Sequence, residues 1–389
     1  MEMSATVSEL RVAEPAVTEV AVQVVDCDVH PYPSPTNSYL LAEHTPEPWR
    51  SRFFAKGHAF KHGNSVIFDP PEYFHAHGMR GDTRPPVGGF PNSDPDFAVE
   101  QLLRGAGVDI AILGPVFRQE ILPEDELARC AGYNGWLAEA WLEKANEHRR
   151  WRGSICATLT DPAGSAAEIE RWAEHPMMSQ VLVMPEVRTG FGDPRFDPVF
   201  EAATRHGLPV ATHVGRGPDE RLPLSPVGPG SWYLDMFTLE PMRYASHLTS
   251  LVFDGAFDRH PDLRVVFIEG AFTWALPLMW RLDEIWRARR AELPHVKRPP
   301  SEYIREHVRF TTQPIEDPQD RNELVEYLDW MHAEDLLLFS TDYPHWSYDE
   351  PSWAVNRMPR ASRNKIMHRN AQDLLSLPET VPALKAADV

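Results

Sequence analysis

Short runs of consecutive apolar residues, separated by stretches of helical patterning, organise the chain. Eight such runs stand at 22–28, 108–114, 153–159, 180–185, 208–213, 263–269, 308–312 and 336–342. Most are nearly unbroken, as in RVVFIE and DLLLFSTD, which is the pattern of parallel strands covered on both faces. Helix punctuation lies between them. Asp197-Pro198 offers a cap and a first-turn proline ahead of VFEAATRH, and Gly207 stops that helix; Asp161-Pro162 opens AGSAAEIERWAEH in the same way. RLDEIWRARRAEL alternates charged and apolar residues at helical spacing and predicts an amphipathic outer helix. Eight strands alternating with helices predict an α/β fold, a (β/α)8 TIM barrel whose site lies at the C-terminal strand ends. An open doubly wound sheet competes with it. That arrangement puts a Gly-rich turn after the first strand, where this chain has DCDVHPYP.

Two connections exceed normal barrel length. Residues 31–96, rich in Pro, His, Gly and aromatics, separate the first strand from the helical run FAVEQLLRG, and residues 215–236 follow the fifth strand. Loops of that size predict folded lids over the pocket. The domain is expected to span 22–378, with mobile tails at 1–21 and 379–389.

Charge narrows the partners. Across 389 residues, Lys+Arg 38 against Asp+Glu 57 gives a net charge of −19, a field that repels nucleic acid and anionic membrane surfaces. Mean hydropathy is −0.39, and no apolar stretch reaches membrane-spanning length. A small molecule is the expected partner. The N-terminus has Glu where a signal peptide carries Lys or Arg, and Cys27, Cys130 and Cys156 lack metal-knuckle spacing. A cytoplasmic chain with buried thiols is expected.

The strand ends carry the chemistry. The first ends in Asp28-Val29-His30, the fifth in His213, the sixth in Glu269 and the eighth in Asp342. In a barrel these converge, and imidazole with carboxylate oxygen suits a divalent cation. Asp28 and His30, two apart on an extended segment, point to the same side. Each residue also has an ordinary structural role open to it: turn or cap for Asp28 and His30, a satisfied polar strand end for His213, compensation of a helix N-terminus for Glu269, an Asx turn for Asp342. Four polar ends on otherwise apolar strands favour a shared site.

VDCDVHP, LPVATHVG, LRVVFIEGAFTW and LLFSTDYPHW resemble the motifs of the amidohydrolase superfamily, in the amidohydrolase-related branch that contains aminocarboxymuconate-semialdehyde decarboxylase and the resorcylate-type decarboxylases. The resemblance covers about residues 24 to 378. It implies one divalent ion, Zn or Mn, held by Asp28, His30, His213 and Asp342. Asp28 stands where the superfamily has a first His, and Glu269 where it has a strand-six His. The fourth strand ends VLVMP without the lysine of two-metal members. The implied activity is hydrolysis of a C–N or ester-like bond by metal-activated water, with Asp342 or Glu269 moving the proton. The alternative is a metal-dependent nonoxidative decarboxylase of an aromatic or unsaturated acid. A metal-free enzyme or a small-molecule binding protein is the reading from another class.

Further candidates lie in the loops. His345 is placed to orient substrate or a ligand, and Arg80 and Arg84 to clamp a substrate carboxylate. His75 and His77 read as lid residues. The resemblance implies a homodimer, with Trp274, Trp280 and Trp286 as apolar surface.

Overall fold

A computed structural model describes residues 18–54, 78–116, 122–214 and 233–385. Each of the eight apolar runs overlaps a strand: β2 (Val25–Val29), β3 (Ile110–Leu113), β4 (Trp151–Cys156), β5 (Met178–Val183), β6 (Val210–His213), β7 (Val265–Ile268), β8 (Val308–Thr311) and β9 (Leu337–Leu338). They form one parallel sheet in sequence order from β2 to β9. The seam between β2 and β9 is spanned by Cys27 N–H to Phe339 O (2.9 Å), by His30 N–H to Tyr343 O (2.8 Å) and by a parallel bridge from Val29 to Tyr343. The architecture is the expected (β/α)8 barrel.

Register decides which side chains meet. β6 and β7 pair Thr212 with Phe267 and His213 with Ile268, so Glu269 lies one step past the partner of His213. Across the seam, Asp342 N–H donates to Asp28 O (3.1 Å). The strand residues are almost all buried on both faces, as their unbroken apolar runs require. Phe267, fully buried, stacks on Phe310 at 5.8 Å and meets Trp274 edge-on at 6.2 Å. Burial of a side chain that size is worth about 2 to 3 kcal/mol.

The helices begin largely where the punctuation places them. Asp161 caps Pro162–Trp172 by accepting from Gly164 N–H (3.0 Å). Asp197 differs from expectation. A tight turn, Pro194–Phe196, capped by Asp193, runs directly into the helix Asp197–Arg205. With its amide neighbours already inside a continuous turn, the Asp197 carboxylate instead pairs with Arg259 (3.0 Å) and His260 (2.9 Å). Gly207 does close the helix, with φ 67° and its N–H on Thr204 O. RLDEIWRARRAEL supplies most of the helix Ala275–Arg289.

The terminal segments also differ from expectation. β1 (Glu19–Ala21) and β10 (Thr380–Pro382) pair antiparallel. Residues 19–21 and 380–382 are therefore ordered strands, held further by Arg150, whose guanidinium donates to Pro382 O (2.9 Å). The first insertion contains two helices, Tyr39–His44 and Trp49–Phe54, and its end is sewn to the loop after β9 by Arg80 N–H to Pro344 O and Trp346 N–H to Gly78 O. Residues 55–77, with His75 and His77, and residues 215–232 lie outside the described residues. All three cysteines are buried and unbridged. No helix among the described residues is long and apolar enough to cross a membrane.

Candidate metal centre

Three strand ends, those of β2, β6 and β9, deliver Asp28, His30, His213 and Asp342 to one point, each at most 2% exposed. His30 Nε2 lies 3.2 Å from Asp28 Oδ1 and 3.1 Å from Asp342 Oδ1, and His213 Nε2 lies 3.6 Å from Asp28 Oδ1. A tetrahedral ion with ligands at about 2.1 Å sets them about 3.4 Å apart, so these separations fit one ion.

Tautomers sharpen the point. His30 Nδ1 bonds Gly114 O at 2.9 Å and His213 Nδ1 bonds Val214 O at 2.5 Å. A carbonyl only accepts, so each Nδ1 carries the hydrogen and each neutral ring turns a bare Nε2 toward the carboxylates. Lone pairs face lone pairs across about 3 Å unless a cation stands between them. Asp28 Oδ2 and His213 Nε2 are buried with no aligned hydrogen-bond partner, which costs free energy unless something binds them. Burial would lower both imidazoles, yet Asp28, joined by Asp342 at His30 and by Glu269 at His213, lifts their pKa values above the ordinary range. The pocket demands positive charge, as protons or as a metal ion. Its donors fit a divalent ion.

The two remaining carboxyl groups are held differently. Asp342 Oδ1 receives His345 Nδ1–H, while Oδ2 receives Ser347 Oγ–H (2.6 Å) and Gln313 Nε2–H (3.2 Å). Against the upward push of burial, His345 and His30 hold Asp342 well below the usual carboxylate range. Glu269 lies 3.2 Å from His213 Nε2, 5% exposed. Burial and the charge of Asp342 push Glu269 up to about 8, with His213 opposing. Glu269 and Asp342 both sit at positive φ, 54° and 64°. Non-glycine residues there cost about 1 to 3 kcal/mol, a strain that concentrates at functional sites.

The structure brings Asp28, His30, His213, Glu269, Asp342 and His345 together. None of the first five acts as a helix cap; Glu269 precedes its helix, Ala275–Arg289, by six residues. Arg80 and Arg84 are not in this cluster. Arg80 bonds Asp82 (2.7 Å) and lies over the Tyr348 ring at 4.2 Å, and Arg84 donates to Gly89 O (3.0 Å), so both guanidinium groups are engaged by their own loops. Of the three tryptophans, Trp280 is exposed, whereas Trp274 and Trp286 turn their indole N–H groups onto Gly270 O and Val296 O.

Sequence reasoning missed several participants. Tyr32 donates to His345 Nε2 at 3.1 Å; its place two residues after His30 on an extended segment was the available signal. Gln313, Ser347 and the trio of buried Glu186 and Glu240 with Arg243 between them carry no local signal. Arg243 pairs with both glutamates, and burial pushes Glu240 up to about 8.

Comparison with known proteins gives the fold and the family. A gamma-resorcylate decarboxylase of Rhizobium sp. (strain MTP-10005) is 27% identical over 266 residues, covering 65% of this chain and 76% of that protein. The 2-amino-3-carboxymuconate-6-semialdehyde decarboxylase of Dictyostelium discoideum is 25% identical over 261 residues, 64% of this chain and 67% of its own. Among solved structures, an amidohydrolase of Mycobacterium avium subsp. paratuberculosis K-10 superposes with TM-score 0.67 at 20% identity, covering 92% of this chain and 99% of that one. A dihydroxybenzoic acid decarboxylase of Polaromonas sp. JS666, with bound manganese and 2-nitroresorcinol, gives TM-score 0.59 at 18% identity, covering 92% and 97%. The Amidohydrolase family model matches residues 25–377, from the strand that carries Asp28 to the last helix behind β9, and the chain belongs to that family.

Proposed function

We propose that this protein is a metal-dependent nonoxidative carboxy-lyase acting on a small aromatic or unsaturated carboxylic acid. The decarboxylase relatives favour this reading over hydrolysis of a C–N or ester-like bond. The observation that carries the metal dependence is the pair of Nε2 atoms, each with its Nδ1 committed to a carbonyl, set against two carboxylates at 3.1 to 3.6 Å. Asp28, His30, His213 and Asp342 would hold one divalent ion. Manganese is the favoured ion, since two carboxylates among four ligands make a hard site and a solved decarboxylase of this fold contains it. When bound, the ion supplies Lewis-acid charge that anchors and polarises an anionic substrate.

The chain's own groups supply the rest. Asp342, gripped at both oxygens, stays an anion and orients. Among the described residues, no side-chain hydroxyl or amide locks either oxygen of Glu269, and it holds a proton at its carboxyl oxygen beside His213. As the C–C bond to the carboxyl group breaks, its electron pair stays on the substrate carbon, CO2 departs, and that carbon takes the proton from Glu269. The buried strand ends exclude water from the developing carbanion.

The test incubates Mn-reconstituted protein with a panel of hydroxybenzoates and unsaturated acids in D2O. Equimolar CO2 and product with one deuterium at the vacated carbon, abolished by chelator, is expected. Release of amine or alcohol from amides and esters, without CO2 from any acid, would return the reading to hydrolysis.

A further inference from the structure

Glu269, Asp342 and His345 also lie close enough to suggest a second ion sharing Asp342, but the hydrogen bonds of His345 assign it another part. Its Nδ1 is in hydrogen-bond contact with Asp342 Oδ1, and an ionised carboxylate only accepts. Nδ1 therefore bears the hydrogen. In the neutral ring Nε2 is then an acceptor, and Tyr32 O–H supplies its donor at 3.1 Å. The ring is further fixed by stacking on His30, centroids 4.6 Å apart. Tyr32 is itself anchored: its N–H bonds Asn92 O (3.0 Å) and its ring meets Phe90 edge-on at 4.7 Å.

We propose that Tyr32 and His345 are positioning residues that fix Asp342 as a one-oxygen metal ligand, through the chain Tyr32 O–H to His345 Nε2 and His345 Nδ1–H to Asp342 Oδ1. The inference rests on the metal centre proposed above. Ser347 and Gln313 occupy Oδ2, so both ends of the carboxylate are gripped. Oδ1 keeps one free direction, toward His30 and the ion. A carboxylate released from this grip rotates, binds through both oxygens or withdraws, and the coordination geometry changes. The tyrosine sets the histidine tautomer, and the histidine sets the carboxylate.

The test reads the metal and needs no substrate. Full-length protein is stripped with chelator and titrated with Co2+, whose visible absorption reports coordination number and geometry. Wild type, Tyr32→Phe, His345→Ala and His345→Asn are compared, with circular dichroism as the folding control. His345→Ala is expected to weaken Co2+ affinity about 10- to 100-fold, the usual cost of losing a partner of a metal ligand, and to shift the absorption bands. His345→Asn places an amide N–H near the position of Nδ1 and is expected to restore most of the affinity and the wild-type spectrum. Tyr32→Phe, which removes only a hydroxyl, is expected to shift the spectrum in the same direction by less. Wild-type affinity and spectrum in both His345→Ala and Tyr32→Phe would overturn the positioning role alone. Wild-type protein that takes up neither Co2+ nor Mn2+ would overturn the metal centre and this role with it. A variant that fails to fold leaves the decision to Tyr32→Phe.

Discussion

Thr341 and Asp26, 315 residues apart in the chain, meet across the barrel seam behind the site. Thr341 Oγ–H donates to Asp26 Oδ2 at 2.5 Å and Thr341 N–H to Asp26 Oδ1 at 2.9 Å, both groups fully buried. The contact joins the first and last barrel strands one residue from Asp342 and two from Asp28. Thr341→Val keeps the shape and removes the hydroxyl, leaving a buried carboxylate short of a donor. Equilibrium urea unfolding should show a loss of about 1 to 3 kcal/mol. An unchanged midpoint would mean the seam is held elsewhere.

Metal binding should appear as stability. A ligand that binds only the folded state at one hundred times its Kd adds about 2.7 kcal/mol. Chelator-treated protein should therefore gain several degrees in Tm on adding Mn2+. In Asp28→Asn, which removes one anionic ligand, the gain should largely vanish at the same concentration. Equal gains in both proteins would place the ion outside this cluster.

Glu269→Gln preserves size and removes the proton. With the metal content of the purified variant unchanged, kcat should fall about 10^2- to 10^4-fold, the range for loss of a general acid, while KM moves little. Lost metal with proportionate loss of activity would instead make Glu269 a ligand.

His247 should mark the acid limb of stability. Its ring stacks on Phe191 at 3.8 Å, Nε2–H bonds Pro185 O at 2.9 Å, and Nδ1 is buried without an acceptor. Burial, aided by Arg243, lowers its pKa from 6.5 to about 4. Between those values the unfolded chain binds a proton that the folded chain refuses, so stability is full above about pH 6.5 and falls as the pH drops toward 4. The gap is worth up to about 3 kcal/mol. His247→Gln keeps a donor for Pro185 and cannot titrate, so the difference in Tm between pH 7 and pH 4.5 should shrink relative to wild type.

Gly270 admits no side chain. A Cβ there would lie 2.1 Å from the Tyr244 ring, whose hydroxyl donates to Ile268 O (2.8 Å) and Thr212 O (3.2 Å) and ties together the strands that carry His213 and Glu269. The ring is wholly buried. Gly270→Ala should destabilise by about 3 kcal/mol and lower metal occupancy, both measurable on one purified sample.

The barrel was legible because parallel strands covered on both faces must be apolar throughout. RVVFIE and DLLLFSTD announce themselves without any knowledge of neighbours, and so do the polar residues that interrupt them at Asp28, His213, Glu269 and Asp342. Period and punctuation act locally, and local signals survive in a linear sequence. The expectation of mobility at residues 19–21 and 380–382 failed for the opposite reason. Glu19–Ala21 becomes a strand only because Thr380–Pro382 lies beside it, and three residues carry no period of their own.

Roles within the site belonged to the tertiary structure. Asp342 and Glu269 are both carboxyl groups at strand ends. Only the placement of His345, Ser347 and Gln313 grips both oxygens of the first, and only burial beside Asp342 pushes the second up to about 8. The same holds for the tautomers of His30 and His213, chosen by the carbonyls of Gly114 and Val214. Sequence determined which ionisable groups reach the barrel mouth. Folding decided their charge states, since these depend on partners that range from one residue away, as Val214 for His213, to 312 residues away, as Asp342 for His30, and on the exclusion of water that only packing provides.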